Sequence, residues 1–194
     1  MKNRIWTVVF LVIIVCISTI LLDYVYVYTE PVVQQNQQIK IQKSVLEVLG
    51  IDYEEDKMTE VFSKSINIHK LDEYTIYRTG TGETAFMIEG PGLWGEISAL
   101  VALEPDMETI KGLRVLENNE TPGLGGQIAE DWFQDQFKGK KIKPEIRIIP
   151  YKKVKSVNEV EAISGATKTS KAFEKIINEN IKIILKLNTY PSNP

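Results

Sequence analysis

A short run of small and hydroxyl residues, Ser-Gly-Ala-Thr at positions 164–167, is the place where this sequence could hold a phosphate group. An amphipathic stretch that predicts a helix follows directly, and the first turn of a helix has unpaired N–H groups and a partial positive charge that stabilise an anionic oxygen. Gly165 and Ala166 would let the backbone approach a ligand closely. Serine and threonine are also ordinary residues at helix starts, so a simple helix cap is the competing interpretation of these four residues alone.

Three blocks of the sequence, in the same order, resemble the FMN-binding domain family. Residues 161–170 (EAISGATKTS) resemble the motif in which the last threonine of S-G-A-T carries FMN through a phosphoester bond. Residues 120–125 (ETPGLG) resemble the family's E-T-P-G-L-G turn. Residues 90–95 (GPGLWG) resemble a stretch of one branch, the C subunit of the Na⁺-translocating NADH:quinone reductase, to which the G subunit of the Rnf electron-transport complex is a close relative. Three ordered matches are far more specific than one.

The resemblance implies covalent FMN on Thr167 and a binding site built from all three blocks. One departure from the family pattern is Glu161, where aspartate is usual three residues before the serine; the charge is kept and the reach changes by one methylene. Trp94 either stacks on the flavin ring or fills the core. The cofactor-binding residues that the resemblance implies are Thr167, Ser164, Gly165, Ala166, Lys168, Thr169, Glu120, Thr121, Pro122, Gly123, Leu124, Gly125 and Trp94.

Residues 121–125 are expected to form a second wall of this site. The resemblance implies that Thr121 and nearby backbone N–H groups bind the edge of the isoalloxazine, while Leu124 packs on it. Gly123 and Gly125 would permit close contact with a flat ring. The alternative for the same residues is an ordinary Pro-Gly turn between a strand and a helix.

A threonine hydroxyl is a poor nucleophile at neutral pH, so Thr167 needs external activation. The resemblance implies a separate extracytoplasmic flavin transferase that uses FAD and Mg²⁺ and releases AMP. It also implies electron relay beside other integral membrane subunits of a sodium-pumping NADH:quinone reductase. The chain is shorter than expected for that reductase component, which leaves an Rnf-type subunit or a stand-alone flavin carrier open. A third alternative is a non-redox binding domain in which residues 164–167 only cap a helix.

Composition excludes several other classes of chemistry. The 194 residues carry a formal net charge of −3, so no basic excess points to nucleic acid. One cysteine, Cys16, excludes an intramolecular disulfide and any cysteine-ligated zinc or iron–sulfur centre. One histidine, His69, with no thiol partner leaves no ordinary nucleophilic triad. We therefore expect a redox subunit without catalytic or metal-binding residues of its own, and not a complete enzyme.

The N-terminus predicts a membrane anchor. Residues 5–22 are uncharged, and at ~1.5 Å per residue this run approaches the ~30 Å thickness of the hydrocarbon layer. A cleaved signal peptide would need a small-residue cleavage site, but Asp23 and tyrosines follow. Lys2 and Arg4 place the N-terminus in the cytoplasm and the main domain outside the inner membrane. The predicted organisation is an anchor at 1–28, a helical stalk at 29–50 and an FMN-binding domain at 51–194.

The remaining patterns predict an α+β fold with a mostly antiparallel sheet packed with helices. The strand at 96–103 alternates, with Ile97, Ala99, Val101 and Leu103 on one face. Other strands are expected at 74–78, 85–89, 112–117 and 147–150, and helices at 31–49, 57–70, 125–138 and 168–187. The apolar stripes that these helices should bury are Ile128, Trp132, Phe133 and Phe137 in the third and Phe173, Ile176, Ile177, Ile181 and Ile184 in the fourth.

Overall fold

The computed structural model describes residues 2–72, 74–149 and 156–189. The chain divides into two compact units, Met1–Lys40 and Ile41–Pro194. The helices and strands in chain order are α1 (Lys2–Leu49), α2 (Met58–Ser65), β1 (Ile66–Leu71), β2 (Tyr74–Thr79), β3 (Thr84–Pro91), β4 (Glu96–Leu103), β5 (Ile110–Asn118), α3 (Asp131–Gln134), β6 (Arg147–Ile149), β7 (Glu159–Glu161) and α4 (Thr167–Thr189).

The first unit is the part of helix α1 up to Lys40, and its N-terminal half is apolar. Its side chains from residues 5–22 are exposed around the whole helix, and α1 is long and apolar enough to cross a membrane. The sequence predicts a new helix beginning at Pro31, but the structure has Pro31 inside a continuous α1. Proline removes one N–H from the helical hydrogen-bond ladder, and the helix continues on both sides of this position.

Helix α1 ends at Leu49, the predicted end of the helix at 31–49, and a glycine C-cap follows. Gly50 has φ 67°, and its N–H donates to the Glu47 carbonyl at 3.1 Å. The N–H of Ile51 donates to the Leu46 carbonyl at 2.9 Å, which completes a Schellman motif. Leu46 and Leu49 are buried in the second unit, which includes the end of α1 from Ile41 onwards.

The second unit is built on a five-stranded antiparallel meander in the order β1-β2-β3-β4-β5. The mostly antiparallel α+β fold is therefore confirmed, and β4 has the predicted bounds. The single predicted helix at 57–70 is wrong in its second half, since α2 ends at Ser65 and the next residues form β1. Six residues of β1 pair with β2, from Ile66 opposite Thr79 to Leu71 opposite Tyr74, and this pairing overrides the helical pattern.

Both faces of the sheet are covered. The predicted alternation in β4 is confirmed, because Ile97, Ala99, Val101 and Leu103 all lie in the larger apolar cluster that α4 completes. Leu100 and Ala102 point the other way, into a cluster with α2 and the end of α1. The predicted buried stripe of α4, from Phe173 to Ile184, is also confirmed, since each of its residues is at most 3% exposed.

The segment predicted as one helix at 125–138 is three short pieces. A 3-10 turn at Gly125–Ala129 is separated from α3 by Glu130, whose extended backbone (ψ 141°) interrupts the helix, and a second 3-10 turn covers Asp135–Phe137. Ile128, Phe133 and Phe137 are buried as predicted, but Trp132 is 49% exposed because the break rotates it out of the stripe.

A small parallel pair, β6 with β7, lies between the meander and α4 in the chain. The predicted strand at 147–150 is confirmed as β6 up to Ile149, and Pro150 lies outside the described residues. The sequence does not predict strand β7, because its three residues are too few to give a pattern. Strand β7 ends at Glu161, a few residues before α4 begins at Thr167.

Candidate functional site

The site begins where the chain turns into helix α4. The N–H of Ala166 donates to the Ile163 carbonyl at 3.1 Å, and Gly165 has φ 78° at the third position of this turn. That left-handed conformation suits glycine. The first helical hydrogen bond runs from the Ser170 N–H to the Ala166 carbonyl at 3.0 Å. Thr167 is thus the first helical residue, and its side chain is exposed.

The helix start has no side-chain cap among the described residues. Ala166, which occupies the capping position, has no side-chain oxygen. The Ser170 hydroxyl donates back to the Ala166 carbonyl and accepts from the Ile163 N–H at 3.2 Å. No hydrogen bond joins the Thr167 hydroxyl to another described residue, so this hydroxyl is free to carry a substituent. The N–H groups of the first turn have no acceptor within the helix and favour a negative charge there.

The Thr121–Leu124 segment is a Pro-Gly turn with the geometry of type II, as its sequence indicates. The N–H of Leu124 donates to the Thr121 carbonyl at 3.1 Å, and Gly123 has φ 73°. Leu124 is 46% exposed, and its Cδ2 lies 3.3 Å from the position that a Cβ on Gly165 would occupy. The turn therefore adjoins the start of α4, with the Leu124 side chain over Gly165.

The loop between β3 and β4 presents two large apolar side chains to solvent. The N–H of Gly92 donates to the Gly95 carbonyl at 2.8 Å and closes the loop. Leu93 is 45% exposed and Trp94 is 71% exposed. The structure therefore excludes Trp94 as a core residue. Leu93 was not among the predicted site residues, although its place in the GPGLWG block was a signal for it.

A buried carboxylate joins the three sequence blocks. The Glu120 Oε1 accepts hydrogen bonds from the backbone N–H groups of Leu93 at 2.7 Å and Trp94 at 3.0 Å. The Glu120 Oε2 accepts a hydrogen bond from the Thr169 hydroxyl at 2.6 Å. Glu120 is 6% exposed and Thr169 is 1% exposed. These two residues lie behind the exposed surface of the site and support it from below.

The remaining predicted residues divide into an exposed and a buried group. Gly125 is buried against Glu120 and Thr169, so the packing behind the site explains this glycine better than contact with a flat ring does. Glu161 lies in β7, and its N–H donates to the Gln136 side chain at 2.9 Å. The exposed group is Thr121, Pro122, Gly123, Ser164, Gly165, Thr167 and Lys168, while Ala166 is buried.

These residues fit a flavin mononucleotide in two respects. An unencumbered hydroxyl on Thr167 stands at a helix N-terminus, where a phosphate is stabilised. Leu93, Trp94 and Leu124 supply exposed apolar surface of the kind that a flat aromatic ring covers. Among the described residues, no group of three or more histidine, cysteine or acidic side chains is arranged to hold a metal ion.

Comparison with known proteins agrees with this geometry. The model of the FMN-binding domain matches residues 92–182. This range includes most of the GPGLWG block at 90–95 and all of the blocks at 120–125 and 161–170. The G subunit of the proton-translocating ferredoxin:NAD⁺ oxidoreductase complex of Clostridium ljungdahlii is 34% identical over 184 residues, which cover 93% of this chain and 92% of that protein. The chain belongs to the FMN-binding domain family.

Other relatives match over a shorter stretch. The G subunit of the Na⁺-translocating ferredoxin:NAD⁺ oxidoreductase complex of Acetobacterium woodii is 35% identical over 58% of this chain and 50% of its own length. The C subunit of the Na⁺-translocating NADH-quinone reductase of Vibrio vulnificus is 40% identical over 43% of this chain and 35% of its own length.

The fold is also that of solved structures. The crystal structure of the C subunit of the Na⁺-translocating NADH-quinone reductase from Parabacteroides distasonis superposes with a TM-score of 0.70 at 21% identity, covering 82% of this chain and 97% of that one. The Shewanella oneidensis NqrC structure gives a TM-score of 0.71 at 19% identity, covering 80% and 100% of the two chains. At these identities the likeness concerns the fold alone, and it confirms the expected architecture.

Proposed function

We propose that this member of the FMN-binding domain family carries FMN through a phosphoester on Thr167 and serves as an electron-transfer subunit of an ion-translocating membrane complex. The observation that carries the proposal is the exposed Thr167 hydroxyl on the first turn of α4, without a hydrogen bond to another described residue. When bound, the flavin supplies the electron-transfer chemistry; the protein supplies attachment, orientation and shielding.

Each part of the site has a separate role in this proposal. The first-turn N–H groups of α4 stabilise the phosphate charge, and the left-handed Gly165 keeps side-chain atoms away from the linkage. Leu124, Leu93 and Trp94 contact the ring, with Thr121 at its edge. Thr167 is activated by a flavin transferase that uses FAD and Mg²⁺ and recognises residues 161–167.

The full-length match favours an Rnf-type G subunit over the C subunit of the sodium-pumping reductase. The match covers 92% of the Clostridium ljungdahlii protein but 35% of the Vibrio vulnificus protein. This reverses the preference that residues 90–95 suggest by themselves. The reductase component remains the second candidate, supported by the GPGLWG block.

The exposed apolar helix α1 is the anchor in this proposal. Lys2 and Arg4 hold the N-terminus in the cytoplasm, so the second unit lies outside the inner membrane, where the transferase acts. A covalent linkage suits that location, because a flavin that dissociates there would be diluted away. The other integral membrane subunits of the complex would donate and accept the electrons.

The intact mass of the full-length membrane-purified protein tests the attachment. We expect an increase of one FMN minus one water, with fluorescence that survives denaturation, and its loss in Thr167→Ala. Thr59→Ala, which changes an exposed threonine of α2 outside the three blocks, is the matched control and should keep the fluorescence in full. An unmodified mass from a host that flavinylates other proteins would contradict the proposal and favour a non-redox domain.

Purification in mild detergent tests the membership of a complex. We expect a tagged full-length chain to co-purify with integral membrane subunits, and those of a ferredoxin-dependent complex would support the Rnf-type assignment. Co-purification with quinone-reductase subunits would favour the second candidate. A flavinylated protein that purifies alone would instead identify a stand-alone carrier.

A further inference from the structure

We propose that Glu120 is a positioning residue, whose buried carboxylate holds the Leu93–Trp94 loop on the first turn of α4 and so fixes the ring-binding surface. This inference rests on the proposed function, because the surface matters only if a flavin on Thr167 contacts it. The Glu120 cluster is defined as the Glu120 carboxylate, the Thr169 hydroxyl and the backbone N–H groups of Leu93 and Trp94.

The cluster connects segments that are far apart in sequence. Glu120 lies 26 residues from Trp94 and 49 residues from Thr169 along the chain. All three partners donate to the carboxylate, so both of its oxygens act as acceptors. Thr169 stands only two positions after Thr167 on the same helix. The orientation of the exposed loop is therefore tied to the residue that carries the flavin in our proposal.

Two glycines explain how a carboxylate fits at this depth. A Cβ on Gly92 would lie 2.5 Å from the Glu120 Oε1, and a Cβ on Gly125 would lie 2.7 Å from the Oε2 and 2.6 Å from the Thr169 Oγ1. Each oxygen is thus covered by a residue that has no side chain. The glycines of the GPGLWG and ETPGLG blocks form the space around Glu120, and this accounts for their place in the site.

Loss of the cluster would release the loop without removing the attachment point. The loop keeps its own Gly92-to-Gly95 hydrogen bond, but the N–H groups of Leu93 and Trp94 lose their acceptor. Their side chains are already largely exposed, so little apolar packing holds them in place. A ring tethered at Thr167 would then contact a loop that moves.

Two matched pairs of variants in the full-length protein separate the role of the hydrogen bonds from folding. Thr169→Val removes the hydroxyl at nearly constant volume, while Thr169→Ser keeps it. Glu120→Ala removes the carboxylate, while Glu120→Gln keeps an oxygen for the two N–H groups and offers an N–H to Thr169. If Glu120→Ala does not fold, the threonine pair still decides the question.

The readouts are the intact mass, the visible circular dichroism of the flavin and the quenching of its fluorescence by iodide. In Thr169→Val we expect an unchanged flavin mass, a loss of visible dichroism and stronger quenching, and we expect the serine and glutamine variants to behave as the wild type. An unmodified wild type would overturn the proposed function itself. A flavinylated valine variant with unchanged spectra would overturn the role of Glu120 alone. A valine variant that is folded but not flavinylated would also overturn it, because the cluster would then act in recognition by the transferase.

Discussion

Two carboxylates in the same domain have opposite surroundings. Glu83, in the β2–β3 hairpin, pairs with Lys111 on β5 at 2.7 Å and also accepts hydrogen bonds from Thr79 and Thr81. Glu120 is more deeply buried, and its partners among the described residues are all uncharged. The Lys111 ammonium, with the two threonine hydroxyls, lowers the pKa of Glu83 from 4.5 to about 2.

The comparison separates a stabilising interaction from a positioning one. Burial costs a carboxylate its solvation free energy, and attraction to a neighbouring cation offsets part of that cost. Hydrogen bonds from neutral donors offset less of it. Such a carboxylate contributes mainly by holding the donor groups in a defined position. We therefore expect changes near Glu83 to alter stability alone, and changes near Glu120 to alter the flavin environment as well.

The largest expected effect comes from truncating a buried aromatic side chain of α4, the helix that carries Thr169. Phe173 of α4 is fully buried, with ring centroids 6.1 Å from Phe133 and 6.0 Å from Phe137. Phe173→Ala should cost about 3–5 kcal/mol of unfolding free energy because it leaves a cavity. Urea unfolding of the purified protein in detergent measures this, with Phe173→Leu as the milder control. A cost below about 1 kcal/mol for alanine would show that α4 is not held by this aromatic cluster.

Alanine substitution of one glycine near each carboxylate compares how tightly their surroundings are packed. Gly125→Ala places a Cβ into Glu120 and Thr169 and should cost about 1–3 kcal/mol by overpacking. Gly80→Ala, in the hairpin beside Glu83, meets nothing within 4 Å and should change stability by less than about 0.5 kcal/mol. Urea midpoints of the two variants test the contrast. Equal effects would contradict the tight packing around Glu120.

The smallest expected effect is that of the Glu83 pair. Glu83→Gln should cost about 1 kcal/mol or less at pH 7, because the ion pair is partly exposed to solvent. Since the pKa is lowered in the folded state, the charge contributes stability above about pH 4.5, and this contribution is lost as the pH falls towards about 2. The urea midpoints of the two proteins should therefore differ by a constant amount from pH 7 to about pH 4.5 and then converge as the pH falls towards about 2. A difference that stays constant below about pH 4.5 would contradict the assignment.

Much of this fold could be predicted because its long elements have regular periods. The alternation of β4 and the apolar stripe of α4 depend on many residues, so single exceptions do not hide them. The errors fall on short or competing elements. The residues of β1 have a helical pattern, and they form a strand because they pair with β2, which is a tertiary effect. The predicted helix at 125–138 is interrupted at Glu130, and no residue in its sequence predicts that interruption.

The sequence predicts which segments form the candidate site, but it does not predict where their side chains lie. The motifs indicated Thr167, Glu120 and Trp94 together, yet only the structure places Trp94 in solvent and Glu120 behind the surface. No local pattern reports a hydrogen bond between residues 49 positions apart, such as that of Thr169 with Glu120. The motif predicts ring contact for Gly125 and no role for Gly92, and the packing of both glycines against Glu120 depends on the tertiary fold.

The most direct test of the central claim is tryptic peptide mapping of the membrane-purified protein. Cleavage after Lys155 and Lys168 yields the peptide at positions 156–168, in which Thr167 is the one threonine, while Thr169 falls on the next peptide. We predict that this peptide carries the mass of FMN minus water and that fragmentation places the added mass on Thr167. Flavin on another peptide, or on Ser164, or an unmodified peptide from a flavinylating host, would contradict the account.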